Sequence, residues 1–294
     1  MIRSELLRIR YSLSAKLVLA VAAAEAIFVG LLFSFLPALI DGLTKLNTVI
    51  PNATSADQFS DEQLTALSLA SPSAQQTVID VLGNSGTGIS LPTLAALLFG
   101  ALTITTEYRR GSLVNAVLAE PRRIRLLLDK LTALTIVAAG VAVLLTLLRG
   151  LILVVGIAVQ GETLLLSPAE IAGFGLRGAI TLALYTGIGF AVGLLVRSPV
   201  AAILTLGAAV AVESVARPIT TLMFGTPNPA QYLPLGLVPD ISATNPLAAI
   251  NGMTAPLMQG IGLMPALLTL LAWAVVALAI ASTRFCRADI PALS

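Results

Sequence analysis

The sequence predicts an all-α membrane protein with six transmembrane helices, and three observations lead to that class. Hydrophobic residues fill 57% of the 294 positions and charged residues only 11%, against roughly 25% charged residues in soluble domains. The apolar residues fall into runs close to the ~20 residues that a spanning helix needs. The basic residues gather between alternate runs. Such a chain cannot hide its apolar residues in one aqueous core.

Six apolar segments are predicted to cross the membrane within a single transmembrane domain, residues 17–294. The first run is too long for a cleavable signal, so we expect it to remain as a span. The second is short, and we expect its start to reach back towards Gly86. The segments are Leu17–Ile40, Leu91–Thr106, Leu131–Val159, Ala169–Val196, Val200–Phe224 and Pro265–Thr283.

Residues 1–16 are predicted to form an N-terminal amphipathic helix. Ile2, Leu6, Ile9 and Leu13 recur at helical spacing and form one apolar stripe. We expect this helix to lie in the cytoplasmic membrane interface with its apolar side towards lipid. It could serve as a simple anchor or take part in coupling, and the sequence favours neither.

Lys and Arg predict the orientation, because cytoplasmic loops are enriched in both. An even number of spans places both termini on one side, which we expect to be the cytoplasmic side of the cell (inner or plasma) membrane. Thirteen of the 17 basic residues lie there: Arg3, Arg8, Arg10, Lys16, Arg109, Arg110, Arg122, Arg123, Arg125, Lys130, Arg197, Arg284 and Arg287.

Two long loops are expected outside the cell. Residues 41–89 are polar and acidic, and capping-box spacings such as that of Ser73 with Gln76 predict two short helices, near Asp61–Ala70 and Ala74–Leu82.

Residues 225–264 are apolar overall yet contain six prolines. This composition favours re-entrant or short extracellular helices before span six, because irregular backbone at membrane depth must be covered by protein or line a cavity. A plain extracellular cap is the alternative.

The cytoplasmic loop Glu107–Lys130 is the most informative stretch. Ser112 can cap a short helix that carries Leu113, Val117 and Leu118. Pro121 suits the first turn of a second helix that runs into span three. A short apolar helix between two spans is suited to docking on another protein; a positively charged turn that only sets topology is the alternative. At the membrane boundary, Glu107 could cap this loop or pair with Arg109 or Arg110.

This loop resembles that of permease subunits in the ATP-binding-cassette (ABC) type-2 exporter family. There, span two is followed by Glu-x-Arg-x-Gly-Thr, a short helix, a Pro with a following Arg, and a Lys before span three. Ser112 replaces the commoner Thr and keeps its hydroxyl. The corresponding residues here are Glu107, Arg109, Gly111, Ser112, Pro121, Arg122 or Arg123, and Lys130.

The resemblance implies that the short helix is a coupling helix, which contacts a separate ABC ATPase subunit. It implies a second permease chain, identical or a paralogue, in a lipid membrane, and no nucleic-acid partner is expected. ATP and Mg would sit on the ATPase, with no cofactor on this chain, which has no Walker A pattern. The residues expected to serve ATPase coupling are Glu107, Arg109, Gly111, Ser112, Leu113, Val117, Pro121 and Arg122.

Four charged residues are predicted to form an intramembrane cluster in the outer half of the spans: Arg149, Arg177, Glu213 and Arg217. A lone charge at mid-depth costs about 2.5–3.5 kcal/mol, so a network should partly neutralise itself. Glu213 and Arg217 share one face of span five and can pair, whereas Glu25 is expected in the inner half. The cluster could be a gate on the export path or a structural ion-pair network.

Glycines in span four predict close helix packing. Gly189 and Gly193 have the spacing of small residues at helix interfaces. The run Gly173–Gly178 matches a dinucleotide-binding pattern, but no strand precedes it, so we interpret its glycines in the same way.

The leading hypothesis is an exporter permease that has no enzymatic site of its own. A self-sufficient secondary transporter or channel that uses the buried charges is the first alternative. An intramembrane enzyme is the second, and the absence of His argues against it because His-based triads and metal sites are excluded. The substrate does not follow from the sequence.

The orientation can be tested with single cysteines. In a chain whose Cys286 is replaced by Ser, Asp57→Cys should react with an impermeant thiol reagent from outside, and Asn115→Cys should react only after permeabilisation. The opposite pattern would show that the topology is inverted.

Overall fold

A computed structural model describes residues 5, 7–9, 16, 19–32, 35, 68–83, 90–119, 122–225, 229–242, 244 and 261–287. Regular structure in these residues is helical. Short 3-10 turns lie at Pro229–Tyr232 and Pro234–Leu237. The α-helices are α1 (Leu19–Leu32), α2 (Pro72–Ile79), α3 (Leu91–Arg110), α4 (Ser112–Ala119), α5 (Arg123–Gln160), α6 (Pro168–Val196), α7 (Pro199–Phe224), α8 (Val238–Ser242) and α9 (Leu263–Arg287).

Five helices in the described part are long and apolar enough to cross a membrane: α3, α5, α6, α7 and α9. They coincide with five of the predicted spans, which confirms an all-α membrane protein. Much of the first predicted span, Leu17–Ile40, lies outside the described residues. Its described helix α1 is apolar but shorter than the ~20 residues that crossing requires, so the sixth span stays a prediction.

One span start differs from the prediction. Helix α3 begins at Leu91 rather than near Gly86, because the Ser90 hydroxyl accepts a hydrogen bond from the Thr93 amide at 3.2 Å and caps the helix there. Helix α5 begins at Arg123 and continues through the predicted span from Leu131, as expected for a second helix that runs into span three. Its 38 residues correspond to about 57 Å, so α5 extends well beyond the hydrocarbon layer.

Helix α6 lies at the centre of the bundle and packs against α3, α5 and α9. Its closest neighbour is α3, and glycines make that approach possible. A Cβ atom on Gly189 would overlap the carbonyl oxygen of Leu97, and one on Gly193 would press into the backbone of Ala101. The predicted role of these two glycines in close helix packing is confirmed.

Helix α2 forms close to one of the predicted loop helices, but with a different cap. The Ser71 hydroxyl accepts a hydrogen bond from the Ala74 amide at 3.2 Å, and Pro72 occupies the first turn. The predicted Ser73–Gln76 capping box is therefore wrong, and the helix ends at Ile79. Of the other predicted helix, Asp61–Ala70, residues 61–67 lie outside the described residues and 68–70 form a turn.

Helix α2 is buried in the bundle, although its loop is polar and acidic overall. Val78 and Ile79 are fully buried. The Gln75 side chain donates to the carbonyl oxygens of Leu69 and Thr163 and accepts from the Leu165 amide. These bonds fix α2 to the α5–α6 connection. We call this end of the bundle, which also holds α8, the loop end.

The opposite end holds α4, and we call it the α4 end. The Arg123 guanidinium donates to the carbonyl oxygens of Phe285 and Cys286, at 3.3 and 3.2 Å, where α9 ends. Arg197, at the end of α6, lies 5.9 Å from the centre of the Tyr108 ring in α3. The termini of α3, α5, α6 and α9 that meet here all carry arginines.

Replacing Gly189 by Ala should destabilise the bundle by about 1–3 kcal/mol, because the added methyl must push α3 away. Gly140→Ala in α5 is the matched control, since its Cβ would meet no atom within 4 Å. Thermal unfolding in detergent should show a lower midpoint for Gly189→Ala alone. Equal midpoints for the two variants would mean that the α3–α6 contact does not limit stability.

Candidate functional site

Four charged side chains meet at the α4 end and form what we call the four-charge cluster: Glu5, Arg8, Glu107 and Lys130. The Lys130 amine lies 2.7 Å from a Glu5 carboxylate oxygen and 2.8 Å from one of Glu107. Arg8 pairs with Glu107 and, at 2.6 Å, with Glu5. Glu107 and Lys130 are buried. Two acids and two bases balance, which is the condition under which buried charges are tolerated.

The four-charge cluster holds both ends of the segment that carries α4. Glu107 lies in the last turns of α3 and Lys130 lies in the second turn of α5. The sequence left open whether Glu107 caps the loop or pairs with Arg109 or Arg110. Both arginines are exposed, and Glu107 binds Arg8 and Lys130 instead. No local pattern pointed to Arg8 as its partner, because the two residues lie 99 positions apart.

The N-terminal segment also contributes an apolar contact to the α4 end. Ile9, a member of the predicted lipid-facing stripe, is buried in an apolar cluster with Ile104, Leu113 and Phe285. Leu7, by contrast, is exposed. This part of the segment therefore packs on protein, and the interfacial position of residues 1–16 stays a prediction.

Helix α4 presents different apolar side chains to the bundle and to solvent. Leu113 is only 2% exposed and belongs to the same cluster as Ile9, and Val117 packs against that cluster. Leu118 is 77% exposed. Leu113 is packed in the core and is not displayed to a partner in this structure, so its expected role in ATPase coupling stays a prediction. Among the described side chains of α4, Leu118 is the most exposed apolar one and is available to a partner.

Of the other residues predicted to serve ATPase coupling, Gly111, Ser112 and Arg122 are described. Gly111 ends α3 with φ 68°, and its amide donates to the Tyr108 carbonyl. That left-handed conformation favours glycine and turns the chain into α4. Ser112 is the first residue of α4, and Arg122 is exposed. Pro121 lies outside the described residues.

The charges within the spans form separate sites and not the predicted network of four. Arg149, fully buried in α5, lies 2.5 Å from a Glu25 carboxylate oxygen and donates to the Val78 carbonyl at 3.3 Å. The sequence placed Glu25 in the inner half of its span and Arg149 in the outer half, and the structure brings the two side chains together.

Arg177 is separate from the other three predicted cluster residues. Its guanidinium lies over the Phe174 ring, 4.6 Å from the ring centre. This is a cation–π contact within one helix, α6, and such a contact stabilises a charge without requiring an acidic partner.

Glu213 and Arg217 bind the loop backbone rather than each other. The Glu213 carboxylate accepts hydrogen bonds from the amides of Leu235 and Gly236, and Arg217 donates to the Gly236 carbonyl. A Cβ atom on Gly236 would overlap the Arg217 guanidinium. The two side chains thus hold one 3-10 turn by its amides and its carbonyl, an arrangement that we call the loop clamp.

Two aromatic side chains hold the same loop from other helices. The Tyr185 hydroxyl in α6 donates to the Pro234 carbonyl, and the Trp273 indole in α9 donates to the Tyr232 carbonyl at 2.9 Å. The predicted short helices before span six are present, as the two 3-10 turns and α8.

Burial raises the pKa of the Asp240 carboxyl in α8, and the Ile261 amide and Arg217 oppose that rise.

The comparison with known families decides the class of protein. A family model described as ABC-2 family transporter protein matches residues 12–290. The chain belongs to the ABC-2 transporter family. This membership confirms the resemblance seen in the loop after span two. No curated protein matches the sequence significantly.

As an ABC-2 permease, this chain is a multi-pass membrane protein and a transport subunit that is not itself catalytic. Membership also implies that the permease works with an ABC ATPase. The four-charge cluster and α4 lie at one end of the permease, and the loop clamp lies at the other.

The loop clamp predicts coupled effects of Glu213 and Arg217. Each single replacement, Glu213→Leu or Arg217→Leu, should lower stability by about 1.5–3 kcal/mol, the range for charged hydrogen bonds. The double variant should lose less than the sum by about 0.5–3 kcal/mol, because both side chains hold the same turn. Thermal unfolding in detergent gives these values. Ser214→Ala, exposed on the same helix, is the control, and additive losses would contradict a shared clamp.

Proposed function

We propose that this ABC-2 permease exports a substrate across the cell membrane and is driven by a separate ABC ATPase that docks on α4. The observation that carries the proposal is the exposed Leu118 on a short helix, within a segment whose two ends are held by the four-charge cluster. A few side chains that become fully buried on binding provide most of the energy at protein interfaces. ATP and Mg bind the partner.

The α4 end is cytoplasmic in this proposal. The described basic residues at helix ends lie there, in agreement with the enrichment of Lys and Arg in cytoplasmic loops: Arg109, Arg110, Arg122, Arg123, Arg125, Lys130, Arg197, Arg284 and Arg287. Both termini are then cytoplasmic, and the loop end faces outside.

Movement of the ATPase would reach the bundle through α4. Leu113 is buried against α3 residues such as Ile104, and Glu107 and Lys130 tie α3 to α5. A displacement of α4 therefore moves α3, and the close contact of α3 with α6 passes it to the centre of the bundle. Tightly packed interfaces transmit such shifts because they cannot deform continuously.

A second permease chain, identical or a paralogue, would complete the transporter. Membrane lipid would cover the remaining apolar surface, for which the exposed side chains of Leu147 in α5, Leu222 in α7 and Leu268 in α9 are suited.

The decisive test compares Leu118→Asp with Leu113→Asp. Leu118→Asp should leave the melting temperature unchanged and lower ATPase affinity about 30-fold, as expected when an interface residue worth about 2 kcal/mol is lost. Leu113→Asp should instead destabilise the permease, because it buries a carboxylate in the apolar cluster. The measurements are co-purification of the ATPase and transport at matched expression.

Leu118→Met is the conservative control and should keep the ATPase bound. Normal amounts of ATPase and normal transport in Leu118→Asp would show that α4 is only a topological turn, and the proposed coupling would fail.

A further inference from the structure

The start of α5 is joined to the end of α9 at the α4 end of the bundle. The Arg123 guanidinium makes this joint by donating to the carbonyl oxygens of Phe285 and Cys286. A positive charge at this place also complements the negative end of the α9 helix dipole. Arg123 therefore holds the first turn of α5 against the last turn of α9.

Four further arginines surround this joint and form what we call the arginine patch. Arg122 directly precedes α5 and Arg125 lies in its first turn, while Arg284 and Arg287 lie in the last turn of α9. All four side chains are exposed. Between Arg122 and Lys130 the chain contains one acid, Asp129. The arginines outnumber this acid, so the patch attracts anions.

Apolar side chains are exposed beside the arginine patch. Ile124 is 62% exposed and Leu128 56%, and the two lie one turn apart on the same face of α5. Both precede Leu131, where the third span was predicted to begin. On α9, Ile280 is also exposed and lies one turn before Arg284 on one face. Basic and apolar groups thus lie side by side at the end of two spans.

This combination suits a ligand that is anionic at one end and apolar along the rest. Arginine binds phosphate oxygens through paired, charge-assisted hydrogen bonds. Acyl chains would remove the exposed side chains of Ile124 and Leu128 from contact with water, whereas a free phosphate ion would leave them uncovered. Basic clusters next to a spanning helix, and basic pockets between such helices, bind anionic lipid headgroups in other membrane proteins.

We propose that the arginine patch, together with Ile124 and Leu128, is a binding site for an anionic phospholipid. The guanidinium groups bind the phosphate, and the acyl chains lie along the exposed apolar side chains of α5 and α9. The proposal rests on the proposed function only for assigning this lipid to the cytoplasmic leaflet. Because α4 ends at Ala119, shortly before α5 begins, a bound lipid also restrains one end of the segment that carries α4.

Lipid titration of the purified permease, without the ATPase, tests the site. Native mass spectrometry should show tighter binding of phosphatidylglycerol than of phosphatidylcholine with the same acyl chains. The double variant Arg122→Gln/Arg284→Gln should weaken phosphatidylglycerol binding about 25-fold, since each arginine near an anionic lipid contributes about fivefold in affinity. Binding of phosphatidylcholine, which has no net charge, should fall much less.

Two further variants separate this site from general effects of charge. Arg110→Gln/Arg197→Gln removes the same charge from exposed arginines at the same end, but at the ends of α3 and α6, and should leave phosphatidylglycerol binding unchanged. Leu128→Ser should weaken both lipids to a similar degree, because it removes an acyl-chain contact and no charge. All replaced side chains are exposed, so each variant should fold, which thermal unfolding checks.

The outcomes separate lipid from other occupants. Equal losses in the two double variants would overturn the site, because basic charge anywhere at this end would then suffice. Displacement of phosphatidylglycerol by inorganic phosphate, with no effect of Leu128→Ser, would indicate an ion site and overturn the lipid.

The ATPase provides a separate comparison. Loss of the co-purified ATPase in Arg122→Gln/Arg284→Gln, with normal phosphatidylglycerol binding, would assign the arginine patch to the protein interface and overturn the lipid site. Normal ATPase docking in Leu118→Asp would overturn the proposed function without changing lipid binding. The two proposals therefore fail separately.

Discussion

Charge in a membrane interior is stable only when another group compensates it, and each buried ion pair among the described residues of this permease joins segments that are far apart in the sequence. The four-charge cluster connects the N-terminal segment to α3 and α5, and the Glu25–Arg149 pair connects α1 to α5. Apolar faces alone do not select a helix arrangement in lipid, because the tails are as apolar as the side chains. The ion pairs and the glycine contacts supply that selection.

The two ends of the bundle use polar groups in different ways. At the α4 end, charged side chains from several segments bind one another. Helix α4 buries Leu113 against the bundle and exposes Leu118. At the loop end, side chains bind backbone: Gln75, Arg149, Glu213 and Arg217 all contact amides or carbonyls of the loops. Backbone outside helices at this depth has no water to satisfy it, so side chains from the helices must do so.

Helix α7 is held at the loop end by polar contacts to backbone rather than by extensive packing. Only three of its 26 residues are buried, and one of them is Glu213. The half of α7 that carries Glu213 and Arg217 is therefore connected to the loop end mainly through the loop clamp. Helix α6, by comparison, is buried along much of its length against α3, α5 and α9. A rearrangement that keeps the α3–α6 contact can still move α7 together with the loop that it holds.

Local features of the sequence determined the class, five of the spans, helix α4 and the close contact at Gly189 and Gly193. Each of these depends on hydrophobic length or on spacing within one helix, which the sequence displays directly. The cap of α2 was misplaced by two residues, because the Ser73–Gln76 spacing fits a capping box, whereas the helix starts at Pro72 and is capped by Ser71.

Tertiary structure decided which charges pair and which way each helix faces. Glu107 pairs with Arg8 and Lys130, and Arg149 pairs with Glu25. The sequence does not show these pairs, because only the packing of the helices brings partners so distant in sequence together. The burial of Leu113 and exposure of Leu118 follow from the rotation of α4. A helix that is apolar on nearly every side carries little information about its rotation, so its neighbours, and not its own residues, set the face that it buries.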